Sequence, residues 1–376
     1  MSAIVRSRWG RLYHGETGID FYGRRRRGFY VSLALIVISL ASLFTRGINL
    51  GLDFKGGVAW QVPASADFGA DETRAVLDAN GIETSNAKIQ KLQSGSQEFI
   101  RVQVGDQSIE VRQKVQQELA VAAGVESTEV SVSSVSSSWG RAITEKALRA
   151  LVIFLVLVAL YIAWRFEWRM AISAILAMAH DVLVSVGIYS VFGFEVTPAT
   201  VVAFLTILGY SLYDTIVVFD KVQDNIKRFE ASRTPVADIV NVSTNQVLMR
   251  SINTSVAAIL PVLSLLVLGS EILGAVALRE FSIALLVGIT TGAYSSIFIA
   301  TPLLAVLKER EPRFKNLRGE HTTGDLLVQM VISGHAVSSR SRRSESSDSA
   351  SGAPNAPATA SSLLTHPPRP RKKRRR

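Results

Sequence analysis

The chemistry in this sequence sits in ionisable residues embedded among apolar ones. Asp214 lies in Gly209-Tyr210-Ser211-Leu212-Tyr213-Asp214-Thr215, inside an apolar run from Ala199 to Phe219. An Asp or Arg at the centre of a membrane helix costs on the order of 2.5–3.5 kcal/mol on insertion scales, so it seldom stands there without a use. A desolvated carboxylate is a natural group to load and release protons. The alternative is a structural Asp that caps a neighbouring helix. Arg250-Ser251-Ile252-Asn253-Thr254-Ser255 opens another apolar run, Val247 to Gly269, and Arg250, Asn253 and Thr254 share a helical face by their i, i+3, i+4 spacing. An Arg beside a buried carboxylate favours its charged form, so a contact that changes with conformation would couple proton uptake to movement. Alternatively, Arg250 is an anchor snorkelling to the membrane surface. His180-Asp181 stands near the middle of the run Ala171 to Phe192. Neighbours on a helix point roughly 100° apart, so these two are not expected to pair with each other. They extend a polar relay toward Asp214 or hold adjacent helices together.

These groups need elements to position them. The chain has 376 residues, 48% of them hydrophobic and 19% charged, with a mean hydropathy of +0.26. Its apolar residues cluster in six runs, near 29–44, 147–164, 171–192, 199–219, 247–269 and 281–307. About 20 apolar residues span a hydrocarbon core about 30 Å thick, which excludes an ordinary soluble enzyme and a disordered chain. The net charge of +10 would suggest nucleic acid in a soluble protein, but here it is expected on cytoplasmic loops. No nucleic-acid partner is therefore expected. With no cysteine, disulfides and thiolate sites are excluded. Arg24 to Arg27, Arg165 with Arg169, Lys221 with Lys227 and Arg228, and Lys308 with Arg310 and Arg313 all fall on one side of six alternating helices. That places both termini in the cytoplasm. The first run has no small-residue cleavage pattern after it, so an uncleaved anchor is expected. Pro261 should kink the fifth span, and Gly288 and Gly292 give the sixth a small-residue packing face. Asp220, Asp224 and Asn225 are expected to be solvated or to pair helices.

The expected division is a basic cytoplasmic N-terminus (1–28), a first membrane helix (29–46), an extracytoplasmic domain (47–143), a five-helix transmembrane bundle (144–308) and a basic, mostly disordered cytoplasmic tail (309–376). The outer segment reads as strand, helix, strand, strand, helix, strand, the order of a ferredoxin-like α+β domain. It carries no metal-spaced cluster and no phosphate loop. The tail, rich in Ser, Ala, Pro and Arg and ending in Arg371-Lys372-Lys373-Arg374-Arg375-Arg376, cannot bury a core and would gain about 1 kcal/mol per charge beside anionic membrane lipids.

Four ordered motifs resemble the SecD/SecF family of protein-export membrane proteins. Gly51-Leu52-Asp53-Phe54-Lys55-Gly56-Gly57 looks like the signature that opens the family's external domain. His180-Asp181-Val182, Gly209 to Asp220 and Arg250 to Ser255 resemble its third-, fourth- and fifth-span motifs. The resemblance covers roughly residues 25–310, and one short external domain suits the SecF branch. It implies a non-enzymatic accessory subunit of the Sec translocase, in the same (RND) superfamily as proton-driven multidrug exporters. Such a subunit sits in the bacterial plasma membrane, pairs with SecD and uses the proton motive force to promote late preprotein translocation. The family's intramembrane aspartate and arginine fall on Asp214 and Arg250, and Asp53, Gly56 and Gly57 carry its external motif. SecYEG, SecA, the preprotein and YajC are the further partners implied, and protons are the coupling ion with no cofactor. Tyr213 stands where the family commonly has Asn, and Ser138-Trp139-Gly140 replaces a Gly-Pro stretch. Two other classes remain open: a proton-driven exporter of a small molecule or lipid, and a passive translocon scaffold.

Overall fold

The structure is a computed structural model that describes residues 8–13, 15–65, 68–94, 97–272 and 276–336. A short helix, α1 (Arg8–Tyr13), precedes the first long apolar helix, α2 (Arg25–Thr45). A single turn, α3 (Leu52–Lys55), leads into a small domain of β1 (Gly57–Pro63), α4 (Ala70–Ala79), β2 (Lys88–Ser94), β3 (Gln97–Val104), α5 (Ile109–Ala123) and β4 (Ser131–Val135). The sheet runs in the order β2-β3-β1-β4 with every neighbouring pair antiparallel. Val58, Trp60 and Val62 alternate onto one face of β1, where Leu77 of α4 and Val115 and Leu119 of α5 cover them. That period of two follows from the pleat.

The bundle follows as α6 (Ser137–Arg165), α7 (Trp168–Phe192), α8 (Pro198–Arg228), α9 (Val236–Ser264), α10 (Val276–Ser295), α11 (Thr301–Lys308) and, beyond it, α12 (Gly324–Ser333). A π-helical stretch, Leu265–Ile272, extends α9, and a second, Ser296–Ala300, joins α10 to α11 in one last span. Among the described residues, six helices are long and apolar enough to cross a membrane. Their outward residues, such as Leu33, Val37, Leu148 and Leu157, are exposed. Such residues suit lipid, because a helix satisfies its own backbone and can present apolar side chains outward. Thr197 accepts a hydrogen bond from the Thr200 N–H at 3.3 Å and, with Pro198 in the first turn, starts α8.

Helix ends depart from the apolar runs. α8 continues nine residues past Phe219, and α6 begins at Ser137, ahead of the expected bundle boundary at 144. Hydropathy marks where a chain meets lipid, while the backbone hydrogen-bond ladder continues into polar sequence. These polar extensions pair: Arg165 bridges Asp220 at 2.7 Å, and the Asn225 amide donates to Ser243 Oγ at 2.8 Å.

Of the expected tail (309–376), the structure describes residues up to 336, short of the Ser-, Ala-, Pro- and Arg-rich sequence that begins near Ser338 and is expected to be disordered. Leu327, Met330 and Val331 of α12 are buried, an i, i+3, i+4 face that gives this stretch a reason to fold. The remainder of the expected tail, including the terminal basic run, lies outside the described residues. The buried first half of α9 is also held by the N-terminal segment. Asn245 Oδ1 accepts from Thr17 Oγ1 at 2.7 Å and from the Ile19 N–H at 2.9 Å, and Asn241 Oδ1 accepts from the Tyr22 N–H at 2.9 Å.

Candidate functional site

Asp214 stands near the middle of the 31-residue α8 and is buried. It stands five residues before the end of the apolar run at Phe219, and the helix continues beyond that run. Its Oδ1 accepts from Ser251 Oγ of α9 at 2.5 Å, and its Oδ2 from Ser296 Oγ of the last span at 2.7 Å. One α8 turn earlier, Ser211 Oγ donates to Asp181 Oδ2 on α7 at 2.5 Å, and Ser295 Oγ donates to the same oxygen at 2.7 Å. Two buried carboxylates on neighbouring helices are thus each held by two hydroxyls. Consecutive serines of the last span serve both, since adjacent helical side chains diverge by roughly 100°. The π-helical stretch starts at the second of these serines, a distortion frequent at functional sites.

Glycines set the spacing. A Cβ at Gly292 would lie 2.9 Å from Ser211 Cβ, and one at Gly288 would lie 2.5 Å from Ile207 Cγ1. The last span therefore approaches α8 closely enough for Ser295 and Ser296 to reach across.

The Arg250 motif divides between two faces. Arg250 is exposed, and its Nη2 donates to the Tyr213 hydroxyl at 3.0 Å instead of reaching Asp214. The expected Arg–Asp proximity is corrected: the inward position of this turn belongs to Ser251. Asn253 shares the outward face, while Thr254 Oγ1 donates back to the carbonyls of Arg250 and Ser251, both at 3.0 Å. Between the faces, a hollow lined by Tyr210, Tyr213, Thr254, Ser255 and Gly292 opens onto Asp214. Tyr213 supplies the acceptor that holds Arg250 at the rim.

His180 and Asp181 do pair, with Nδ1 and Oδ1 3.0 Å apart, which corrects the expectation that neighbours on a helix would not. Nδ1 is one bond beyond Cγ and the Asp side chain is equally short, so both stay near the backbone and rotamer choice closes the angular gap. The other ring nitrogen, Nε2, is buried with no hydrogen-bond partner.

The external motif is a junction. Gly56 and Gly57 have φ values of +74° and +121°, a region other residues avoid. A Cβ on Gly56 would also lie 2.6 Å from Ser137 Cα, and one on Gly57 would collide with the Val104 carbonyl. The two glycines let α3, β1, β3 and the start of α6 meet at one point. Asp53, half-buried beside them, faces a hollow that also includes Gln61, Arg101, Thr197 and Glu280. Nearby, Glu195 in the α7–α8 loop pairs with Lys88 at 3.2 Å and Arg101 at 3.7 Å, and accepts from the Gln103 amide at 3.2 Å. Burial pulls the Lys88 amine below its usual range, an effect that the Glu195 carboxylate opposes.

Six membrane-length helices around a pair of buried carboxylates make this a multi-pass membrane protein. The family model for the C-terminal region of the SecD/SecF protein export membrane proteins matches residues 114–310, and that for the SecD/SecF GG motif matches residues 41–62. The chain belongs to the SecD/SecF family. It is 43% identical to protein translocase subunit SecF of Streptomyces coelicolor, over 82% of each chain. It is also 43% identical to the SecF subunit of Mycobacterium tuberculosis, over 81% of this chain and 71% of that one. The crystal structure of SecDF from Thermus thermophilus, a translocon-associated membrane protein, superposes with a TM-score of 0.70 at 33% identity. That match covers 79% of this chain and 39% of the longer SecDF chain.

Proposed function

We propose that this chain is a SecF-type subunit of the bacterial Sec translocase that pairs with SecD and uses the proton motive force to promote late steps of preprotein translocation across the plasma membrane. The observation that carries this reading is Asp214, buried mid-bundle, held by the Ser251 and Ser296 hydroxyls and open to a hollow on the α8–α9 face. Asp214 loads and releases the proton, and Arg250, parked on Tyr213, modulates it when the helices rearrange. One proton crossing about 100 mV releases roughly 2.3 kcal/mol, enough to bias a conformational equilibrium about fifty-fold. The domain at 57–135, whose strand order and two helices suit a ferredoxin-like fold, lies outside the membrane. Both termini lie in the cytoplasm. SecYEG, SecA and YajC are the wider assembly, protons are the coupling ion, and no covalent catalysis is involved. The experiment is replacement of the native protein by wild type or Asp214→Asn at matched membrane levels, with maturation of a secreted precursor followed by pulse-chase. Restoration by wild type alone supports the proposal. Equal restoration by both makes Asp214 structural and the protein a scaffold. Unchanged export on depletion, with a lipid or small molecule accumulating instead, makes it an exporter.

A further inference from the structure

The Asp181 half of the network has no role in that reading. Its carboxylate is fully buried and accepts hydrogen bonds from Ser211, Ser295 and the His180 ring. His180 is also more than nine-tenths buried, and its Nε2 meets no partner. We propose that His180 and Asp181 form a second proton-binding unit of the bundle, tied to Asp214 through the adjacent hydroxyls of Ser295 and Ser296.

The argument is one of charge. The pair is neutral either as carboxylic acid with neutral imidazole or as carboxylate with imidazolium, and these two states differ only in where one proton sits. Removing that proton leaves a net negative charge among apolar helices, which burial strongly disfavours. Among the described residues no Lys or Arg forms an ion pair with Asp181. The titratable and charged groups on the surrounding elements are accounted for. The last span presents Tyr294, whose ring centroid is 6.4 Å from that of His180 and whose hydroxyl donates to the Gly28 carbonyl at 3.0 Å. α8 contributes Asp214, behind Ser211. α2 offers serines, of which Ser42 bonds Ser190 of α7. At the cytoplasmic end, Arg165 of α6 is paired with Asp220, and Lys308 of α11 with Glu167 and Glu311. The uptake step is therefore simple: a hydronium ion gives one proton to the pair, at the carboxylate or at the open Nε2 side of the ring, so one O–H bond of the donor breaks, one O–H or N–H bond forms on the pair, and water is left.

Coupling follows from the serines. Ser295 and Ser296 are consecutive residues bonded to different carboxylates, and Ser211 lies one α8 turn from Asp214. A change of charge at Asp181 tightens or releases Ser295, and with it the turn that carries Ser296. The coupling rests on the function proposed above, whereas the second site itself does not.

The test is infrared difference spectroscopy of the full-length protein in lipid nanodiscs, titrated from about pH 5 to about pH 9 around the ordinary His range. Wild type should lose two carboxylic-acid carbonyl bands as pH rises. Asp181→Asn should remove one and Asp214→Asn the other. His180→Gln should move the midpoint of the Asp181 band alone. Asp181→Asn should also shift the Asp214 midpoint by at least about 0.5 pH unit, a threefold change in proton affinity. Ser295→Ala keeps both carboxylates and should weaken only the coupling. An Asp181→Asn spectrum with every carboxylic-acid band intact, together with a His180→Gln spectrum that loses no pH-dependent imidazolium band, in protein that still elutes as a monodisperse species, overturns the second site. An unmoved Asp214 midpoint overturns the coupling. Loss of the Asp181 band alongside full export by Asp214→Asn would sink the proposed function and leave this inference standing.

Discussion

Gly288→Ala tests whether the spacing between α8 and the last span positions the carboxylate network. The added Cβ would lie 2.5 Å from Ile207 Cγ1, with Cγ2 and Cδ1 of the same side chain equally in the way. Cγ1 and Cγ2 are both attached to the branched Cβ, so χ1 of Ile207 has little freedom within the helix to swing them away. Ordinary contact begins near 3.4 Å and the other two atoms lie closer still, so the helices must separate by at least about 0.9 Å unless Ile207 is forced off its rotamer. A separation of that size lengthens the Ser296–Asp214 hydrogen bond, which joins the last span to α8, from 2.7 Å to about 3.6 Å or more, beyond hydrogen-bonding distance. Overpacking of this kind costs about 1–3 kcal/mol. The assay is a double-mutant cycle with Ile207→Ala, which removes all three obstructing atoms, read by reversible unfolding in mixed micelles and by precursor maturation. We expect Gly288→Ala to cost about 1–3 kcal/mol in wild type but under about 0.5 kcal/mol in the Ile207→Ala background. Export by the double variant should recover toward that of Ile207→Ala alone. Additivity of the two substitutions within about 0.5 kcal/mol would refute the reasoning, since the spacing would then not depend on that contact.

Two further outcomes concern the ends of the bundle. His321 Nε2 lies 3.2 Å from Asp20 Oδ2, joining the N-terminal segment to the chain that leads into α12. The Asp20 hydrogen bond raises His321 above its ordinary 6.5 against the effect of burial. Burial of Asp20 is outweighed by hydrogen bonds from His321, the Gly23 N–H and the Asn241 amide, which hold it below 3.8. The His contribution is complete below about pH 6.5 and is lost as pH rises through the raised value; the Asp contribution is lost as pH falls through the lowered one. The protection of residues 11–24 from proteinase K that wild type has over His321→Gln should be largest near pH 5–6 and vanish by about pH 9; an equal difference at both pH values contradicts it. At the small domain, Glu195→Gln strips the half-buried Lys88 and Arg101 of their carboxylate, a loss of about 1–3 kcal/mol. Hydrogen exchange across β2 and β3 should accelerate accordingly, and Lys88→Met in the same chain should reverse part of the effect. Unchanged exchange would place those charges in solvent rather than in a working contact.

The sequence made the apolar runs and the charges inside them plain, because a charge in hydrocarbon is costly and stands out. Asp214 and Asp181 were legible on that basis, and the strands of the small sheet from the patterning of their polar segment. Ser251, Ser295 and Ser296 were not. A serine in a helix can bond its own preceding carbonyl, as Ser264 does to Leu260, so its presence in a span carries little information. Two adjacent serines in the otherwise apolar Tyr294 to Ala300 run were the one available hint. The His180–Asp181 pairing escaped because backbone angles say nothing of rotamers, and Arg250 was assigned inward because its motif is polar on both faces. Helix α12 was hidden by the Ser- and Arg-rich sequence that follows it, although Leu327, Met330 and Val331 already had helical spacing.

The central claim is that Asp214 carries the proton that drives export, and the most direct measurement is how far export depends on the proton gradient with and without it. Precursor maturation would be followed in cells carrying wild type or Asp214→Asn, before and after an ionophore collapses the gradient. Export through wild type should slow on collapse to about the level of the Asp214→Asn strain, and the ionophore should leave that strain's export unchanged. If instead collapse slows both strains by the same factor, the gradient acts elsewhere in the translocase and Asp214 is not its point of entry.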